Sequence, residues 1–153
     1  MSRMTFKDLK SVIAFAVQRE EEAARNYGEL CRIAEDESAR KLLADLQEEE
    51  KNHKRILQGL TKARIRVPSA RDVRDLMISD YLIEEPLTPE MNFQDLLIFA
   101  AKKEKRAVAL YSDLARRTPD KEQKALFEFL AKQEKAHKLR LELEYEKHVL
   151  WED

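Results

Sequence analysis

Apolar residues recur along the chain at steps of three and four, in four separate runs. The first contains Leu9, Ile13, Ala16, Ala23, Tyr27, Leu30 and Ala34, and the second Leu43, Leu46, Leu57 and Leu60. The third contains Phe93, Leu97, Ala100, Ala107, Tyr111 and Leu114, and the fourth Phe127, Leu130, Leu141 and Tyr145. That spacing places each run on one face of an α-helix. Local signals set the expected ends. Thr5-x-x-Asp8 has the form of a capping box, Asp36 or Ser38 can cap the second helix, and Asn92 with Asp95 can cap the third. Thr118-Pro119 reads as an N-cap followed by a first-turn proline, and Gly59 stands where a C-terminal cap is expected. The first helix is expected over about residues 6–35, with Gly28 tolerated inside it at a cost of about 1 kcal/mol.

Residues 61–91 break this rhythm and hold Pro68, Pro86 and Pro89. Arg71 to Ile78 can form a short helix, and Asp80 to Ile83 can be extended. The segment is read as a crossover, because a two-helix half cannot bury its own stripe and the halves must pack together. The expectation is one all-α domain over residues 1–153: a helix pair at 6–60, a crossover at 61–91 and a helix pair at 92–150. A connection of that length spans a bundle, so helices 1 and 2 run antiparallel, as do helices 3 and 4.

Six polar residues interrupt the stripes where apolar ones are required: Glu20, Glu50, His53, Glu104, Glu134 and His137. They obey an internal repeat. An offset of 84 residues carries Glu20 onto Glu104, Tyr27 onto Tyr111, Glu50 onto Glu134 and His53 onto His137. It also carries Phe15 onto Phe99, Ala23 onto Ala107, Leu30 onto Leu114 and Leu46 onto Leu130. Each buried carboxylate costs several kcal/mol unless compensated. Two histidines cannot neutralise four glutamates, whereas two divalent cations can. Glu and His at i and i+3 share a helix face, so Glu50 with His53 can grip one ion and Glu134 with His137 the other. Glu20 and Glu104 then cap one ion each, and two of the four carboxylates bridge. This matches the carboxylate di-metal pattern of four-helix bundles, with a Glu from two helices and Glu-x-x-His from the other two. The competing reading is a core of buried ion pairs such as Glu50 with His137. The donor set suits iron or manganese, and zinc also fits. Tyr27 and Tyr111 lie two turns, about 10.5 Å, along from Glu20 and Glu104. They can either fill the core or hydrogen-bond to ligands on neighbouring helices.

Composition narrows the partners. Charged residues make up 39% of the chain while glycines number 2 and prolines 4, a balance that favours long helices. The net charge of -1 offers no electrostatic case for nucleic acid or an anionic membrane. Cys31 is the lone cysteine, which leaves no internal disulfide and no Cys-x-x-Cys iron site, and it reads as a small packed residue. There is no long apolar run and no signal-peptide pattern, so a soluble cytoplasmic protein is expected. His148, Glu21, Glu22, Glu48 and Glu49 are expected to be solvated.

The segments Gln18-Arg-Glu-Glu-Glu-Ala-Ala-Arg-Asn-Tyr27, Glu48-Glu-Glu-Lys-Asn-His53, Lys103-Glu-Lys-Arg-Ala-Val-Ala-Leu-Tyr111 and Glu134-Lys-Ala-His137 resemble the ferritin-like superfamily, and within it the rubrerythrin group. The resemblance covers nearly the whole chain. It implies a ferritin-like four-helix bundle with a non-haem pair of iron ions that reacts with hydrogen peroxide or dioxygen, often in a homodimer and sometimes with exchanged helices. Two departures stand out. Rubrerythrins usually add a rubredoxin domain, which one cysteine cannot supply, so electrons would come from a separate rubredoxin-like protein. They also carry a further Glu one turn after the third-helix ligand, where this chain has Ala107. The symmetric six-residue set is similar to the ferroxidase centre of bacterioferritin. Three functions follow as expectations: a peroxide- or dioxygen-reducing oxidoreductase, a ferroxidase or iron-handling protein, and a metal-stabilised structural bundle.

Overall fold

The computed structural model describes residues 8–62, 76–82, 88 and 90–151. All regular elements among them are helical: α1 Leu9–Ile33, α2 Glu37–Lys62, a 3-10 turn at Ile78–Tyr81, α3 Phe93–Arg117 and α4 Lys121–Trp151. Links of three residues join α1 to α2 and α3 to α4, which forces each pair to run antiparallel. Each helix packs along its hairpin partner, and the hairpins meet through α1 on α3 and α2 on α4. No helix among the described residues is long and apolar enough to cross a membrane.

Several ends differ from expectation because a nearer side chain satisfies the orphan backbone groups. Asp8 is itself the N-cap of α1, its carboxylate accepting from the Ser11 amide at 2.8 Å; Thr5 lies outside the described residues. At α2 the cap is Asp36, which accepts from the Ser38 amide at 3.2 Å, while Arg40 Nε donates to the Ala34 carbonyl left at the end of α1. Asn92 and Asp95 form the expected capping box of α3. Thr118 does not start α4. Its hydroxyl turns back to the Leu114 carbonyl at 2.6 Å and closes α3, and Asp120 caps α4 by accepting from the Gln123 amide at 3.0 Å. The fourth helix runs through Trp151, one residue past the expected end at 150.

Both glycines are helical, with no positive φ. Gly59 therefore ends nothing, and α2 continues to Lys62. Gly28 has a packing reason. A Cβ there would stand 2.5 Å from Gln47 Nε2, which donates to the Ala24 carbonyl at 2.9 Å and ties α2 to α1.

Of the crossover, residues 71–75 and Ile83 lie outside the described residues. Asp80 and Tyr81 are in the 3-10 turn, not extended; only Leu82 beyond them is. Tyr81 explains the turn: its ring is buried and its hydroxyl donates to Asp113 at 2.7 Å, pinning the segment to α3.

The apolar stripes build two cores at different levels of the bundle. One joins Val12, Ala16, Leu57, Leu114 and Leu130, with Leu76 and Tyr81 folded in from the crossover. The other joins Leu30, Leu43, Leu46, Leu97 and Leu141. On each helix the polar interruptions fall between them. Each fully buried leucine contributes about 1.5–3 kcal/mol relative to exposure, so the two cores hold the intervening layer together.

Asn92→Ala removes one half of a complete capping box and should lower stability by about 1 kcal/mol. Urea unfolding should show a lower midpoint at unchanged slope, and an unchanged midpoint would mean that the cap is energetically idle.

Candidate metal centre

Glu20 comes from α1, Glu50 and His53 from α2, Glu104 from α3, and Glu134 and His137 from α4. All six are buried, none more than 3% exposed. That is far below the norm for ionisable side chains, which are almost never fully buried unless paired. Each sits on its helix's core-facing stripe because the i, i+3 spacing on α2 and α4 aligns Glu with His.

The layer is crossed between the two halves. His53 Nδ1 lies 2.6 Å from Glu134 Oε1, and His137 Nδ1 lies 2.6 Å from Glu50 Oε1. The two rings are stacked, with centroids 5.5 Å apart. Tyr27 donates to Glu104 Oε1 at 2.5 Å, and Tyr111 to Glu20 Oε1 at 2.5 Å. Both phenols are buried, and burial followed by the neighbouring carboxylate charge raises their pKa well above the ordinary value. They stay neutral donors. Tyr27 and Tyr111 thus do hydrogen-bond to carboxylates across the bundle, each reaching the opposite half.

The geometry supports metal binding in two ways. Glu20, Glu50, His53 and Glu134 bring ligand atoms within 4.8 Å of one another, and so do Glu50, Glu104, Glu134 and His137. Glu50 and Glu134 belong to both sets, the arrangement two bridging carboxylates would have. Moreover, Glu20 Oε2 and Glu104 Oε2 are buried without a hydrogen-bond partner. Each lies near a histidine Nδ1, at 3.7 Å and 4.0 Å. An orphaned buried carboxylate oxygen carries a desolvation cost that a cation relieves. The residues present fit two divalent ions.

Without metal, protons do part of that work. Burial alone would lower the His53 pKa, but hydrogen bonding with Glu134 and the charges of Glu134 and Glu20 outweigh it, and the value rises from 6.5 to about 10. His137 is raised in the same way against its own burial, chiefly through Glu134. Burial, reinforced by the charge of Glu134, raises Glu104 well above the usual carboxylate range.

Glu49 and His148, both expected in solvent, are partly buried instead. Glu49 stands 3.2 Å from His137 Nε2 and also accepts from Arg140 at 3.0 Å. It stands on the side of the ring away from the layer's carboxylates, close in charge but without a hydrogen bond to Nε2. The 84-residue offset puts Gln133 at the matching place, so the repeat itself hides this role. His148 is half-buried, bonded to Glu144 at 3.1 Å and edge-on to Phe93. Of the other flanking acids, Glu21 pairs with Lys54 at 2.5 Å and Glu22 with Lys103 at 3.4 Å, while Glu48 is exposed. Cys31 is a free, partly buried thiol.

The chain matches the rubrerythrin family over residues 3–61 and 81–145. No curated protein matches it. Two solved structures share its fold. One is a protein of Thermotoga maritima provisionally described as a ferritin-like diiron-carboxylate protein, at 19% identity and a TM-score of 0.74, covering 97% of this chain and 99% of that one. The other is a hypothetical protein of Pyrococcus furiosus, at 24% identity and a TM-score of 0.72, covering 92% and 89%.

A pH dependence follows. The charged His53 ring stabilises the metal-free chain fully below pH 6.5, and that contribution is lost as pH rises through about 10. Glu104, also raised, acts in the same direction. Thermal melting of chelator-treated protein should therefore fall between pH 6.5 and 10, and metal-loaded protein should show a flatter profile. Glu104→Gln, which mimics the protonated acid, should flatten the metal-free profile too; an unaltered slope would remove Glu104 from this account.

Proposed function

The chain belongs to the rubrerythrin family, and from that membership and its buried six-residue layer we propose a di-iron oxidoreductase that reduces hydrogen peroxide or dioxygen. The observation that carries the proposal is the pair of four-residue ligand sets sharing Glu50 and Glu134, completed by two unpartnered carboxylate oxygens. On this reading Glu20 and His53 would hold one ion and Glu104 and His137 the other, with Glu50 and Glu134 within reach of both. A bound ferrous pair would supply the two electrons that, with two protons, convert one peroxide to two waters. Manganese or zinc would fit the same donors without favouring this chemistry as iron does.

The protein's own part is to position and to exclude. Tyr27 and Tyr111 hold one oxygen of Glu104 and of Glu20, leaving the other oxygen of each free to face the layer's interior. Glu49, 3.2 Å from His137 Nε2, places a negative charge behind that ring. The cavity beside the layer is about 20 Å³, which suits a substrate of a few atoms. Electrons would come from a separate rubredoxin-like protein, and the setting would be cytoplasmic, with two copies of the chain forming the working unit.

The alternative is a ferroxidase or iron-handling protein. Ala107 favours it: this residue lines the cavity where a further carboxylate would stand in rubrerythrins, and leaves the donor set symmetric. Light scattering separates the two, a dimer favouring the first and a many-subunit cage the second.

Anaerobic loading with Fe(II), followed by one equivalent of peroxide, should give two irons per chain and a fast rise of ferric absorption. Two bound ions oxidised no faster than free Fe(II) would overturn the redox proposal. Substituting either Glu50 or Glu134 by Ala should reduce binding of both ions, whereas Glu20→Ala should weaken mainly one.

A further inference from the structure

The 84-residue repeat extends to a pair of cations that no metal-binding role requires. It carries Arg19 onto Lys103, each directly preceding a carboxylate of the layer, and Phe15 onto Phe99, one turn earlier. The structure makes the correspondence physical. The Arg19 guanidinium lies over the Phe15 ring at 5.7 Å, and the Lys103 ammonium over the Phe99 ring at 5.3 Å, both within cation–π range. The aromatic faces thus hold two long, otherwise mobile side chains at defined places on α1 and α3.

Both cations line one cavity of about 20 Å³, together with the repeat pair Ala23 and Ala107 and the carboxylates Glu20 and Glu104. The volume exceeds the roughly 10–15 Å³ that a single water requires. The small side chains at 23 and 107 leave this space open directly beside the layer. Arg19 Nε is buried there with no hydrogen-bond partner, an unmet donor on a positively charged group. Lys103 donates to Glu22 at 3.4 Å, and Glu20, Glu50, Glu104 and Glu134 also line the cavity; with those four neutralised by two divalent ions, Arg19, Lys103 and Glu22 would leave it net positive. A buried cationic donor without an acceptor costs free energy unless something negative completes it.

We propose that Arg19 and Lys103 form an anion-recognition mouth on the α1–α3 side of the layer, selecting anions of two or three atoms, the class that includes hydroperoxide and azide. The inference rests on the di-metal reading above, because the carboxylates repel an anion until the ions neutralise them. Arg19 supplies a directed N–H and Lys103 a point charge. They act on the ligand and not on the metals, so their removal leaves metal content unchanged.

The test is a titration of diferric protein with sodium azide, followed by the azide-dependent absorption, with iron counted in the same samples. Arg19→Gln and Lys103→Gln should each retain two irons and bind azide about tenfold more weakly, the usual loss for one charge-assisted contact. Arg19→Lys should recover part of the loss. The wild-type affinity should also fall with added salt, a measurement that stands if a substituted chain fails to fold. Azide affinity insensitive to both salt and substitution, at full iron content, would overturn this inference and leave the metal centre standing. Wild-type protein that holds no iron would overturn both.

Discussion

Taking four carboxylates out of water in the middle of a helix bundle, at a cost of several kcal/mol for each ion, is the constraint around which the remaining structure is arranged. The layer is tolerated because apolar cores lie at levels on either side of it, one around Val12, Leu57 and Leu130 and the other around Leu43, Leu97 and Leu141. Neither core contains the layer, which both cores flank. Stability is thereby concentrated in the leucines, while the layer is left with unmet valence: two carboxylate oxygens without partners and two histidines whose pKa values are raised by the neighbouring carboxylates. A site that is costly when empty and neutral when filled with two divalent ions is one in which metal binding and folding are thermodynamically linked.

The internal repeat has a structural consequence beyond symmetry. The four shortest hydrogen bonds of the layer each join one half of the chain to the other. His53 reaches Glu134, His137 reaches Glu50, Tyr27 reaches Glu104 and Tyr111 reaches Glu20. No hairpin can make the site alone, so the crossover has to return the second pair onto the first, and Tyr81 anchors its last part to α3 through Asp113. The repeat is nevertheless broken where it touches chemistry. Glu49 stands behind His137 where the matching position holds Gln133, so the two histidines differ in their surroundings although their own spacing is identical.

Much of this was written in the periodicity of the chain. Stripes at steps of three and four, scarce glycine and the 84-residue offset defined four helices, an antiparallel pairing and the six buried residues, because burial on one helix face depends only on local spacing. Helix ends were less legible. Asp120 in place of Thr118, and Asp8 acting without Thr5, are choices among adjacent capping residues of nearly equal propensity, settled by which oxygen reaches an amide. Gly59 looked like a terminus because glycine permits the left-handed conformation, yet nothing here required α2 to stop there.

What only the tertiary structure decided is which groups meet across helices. Spacing along one helix could align Glu50 with His53, but that the His53 nitrogen would lie closer to Glu134 than to Glu50 depends on the relative height of α2 and α4. The same holds for the choice of Glu50 and Glu134 as the shared carboxylates, for the Tyr27 and Tyr111 crossings, for Glu49 turning inward and for Gly28 admitting Gln47. The sequence by itself determined the fold class and the identity of the polar layer, since both follow from a one-dimensional pattern of burial. The pairing within that layer is a three-dimensional distance, set by how the two cores pack.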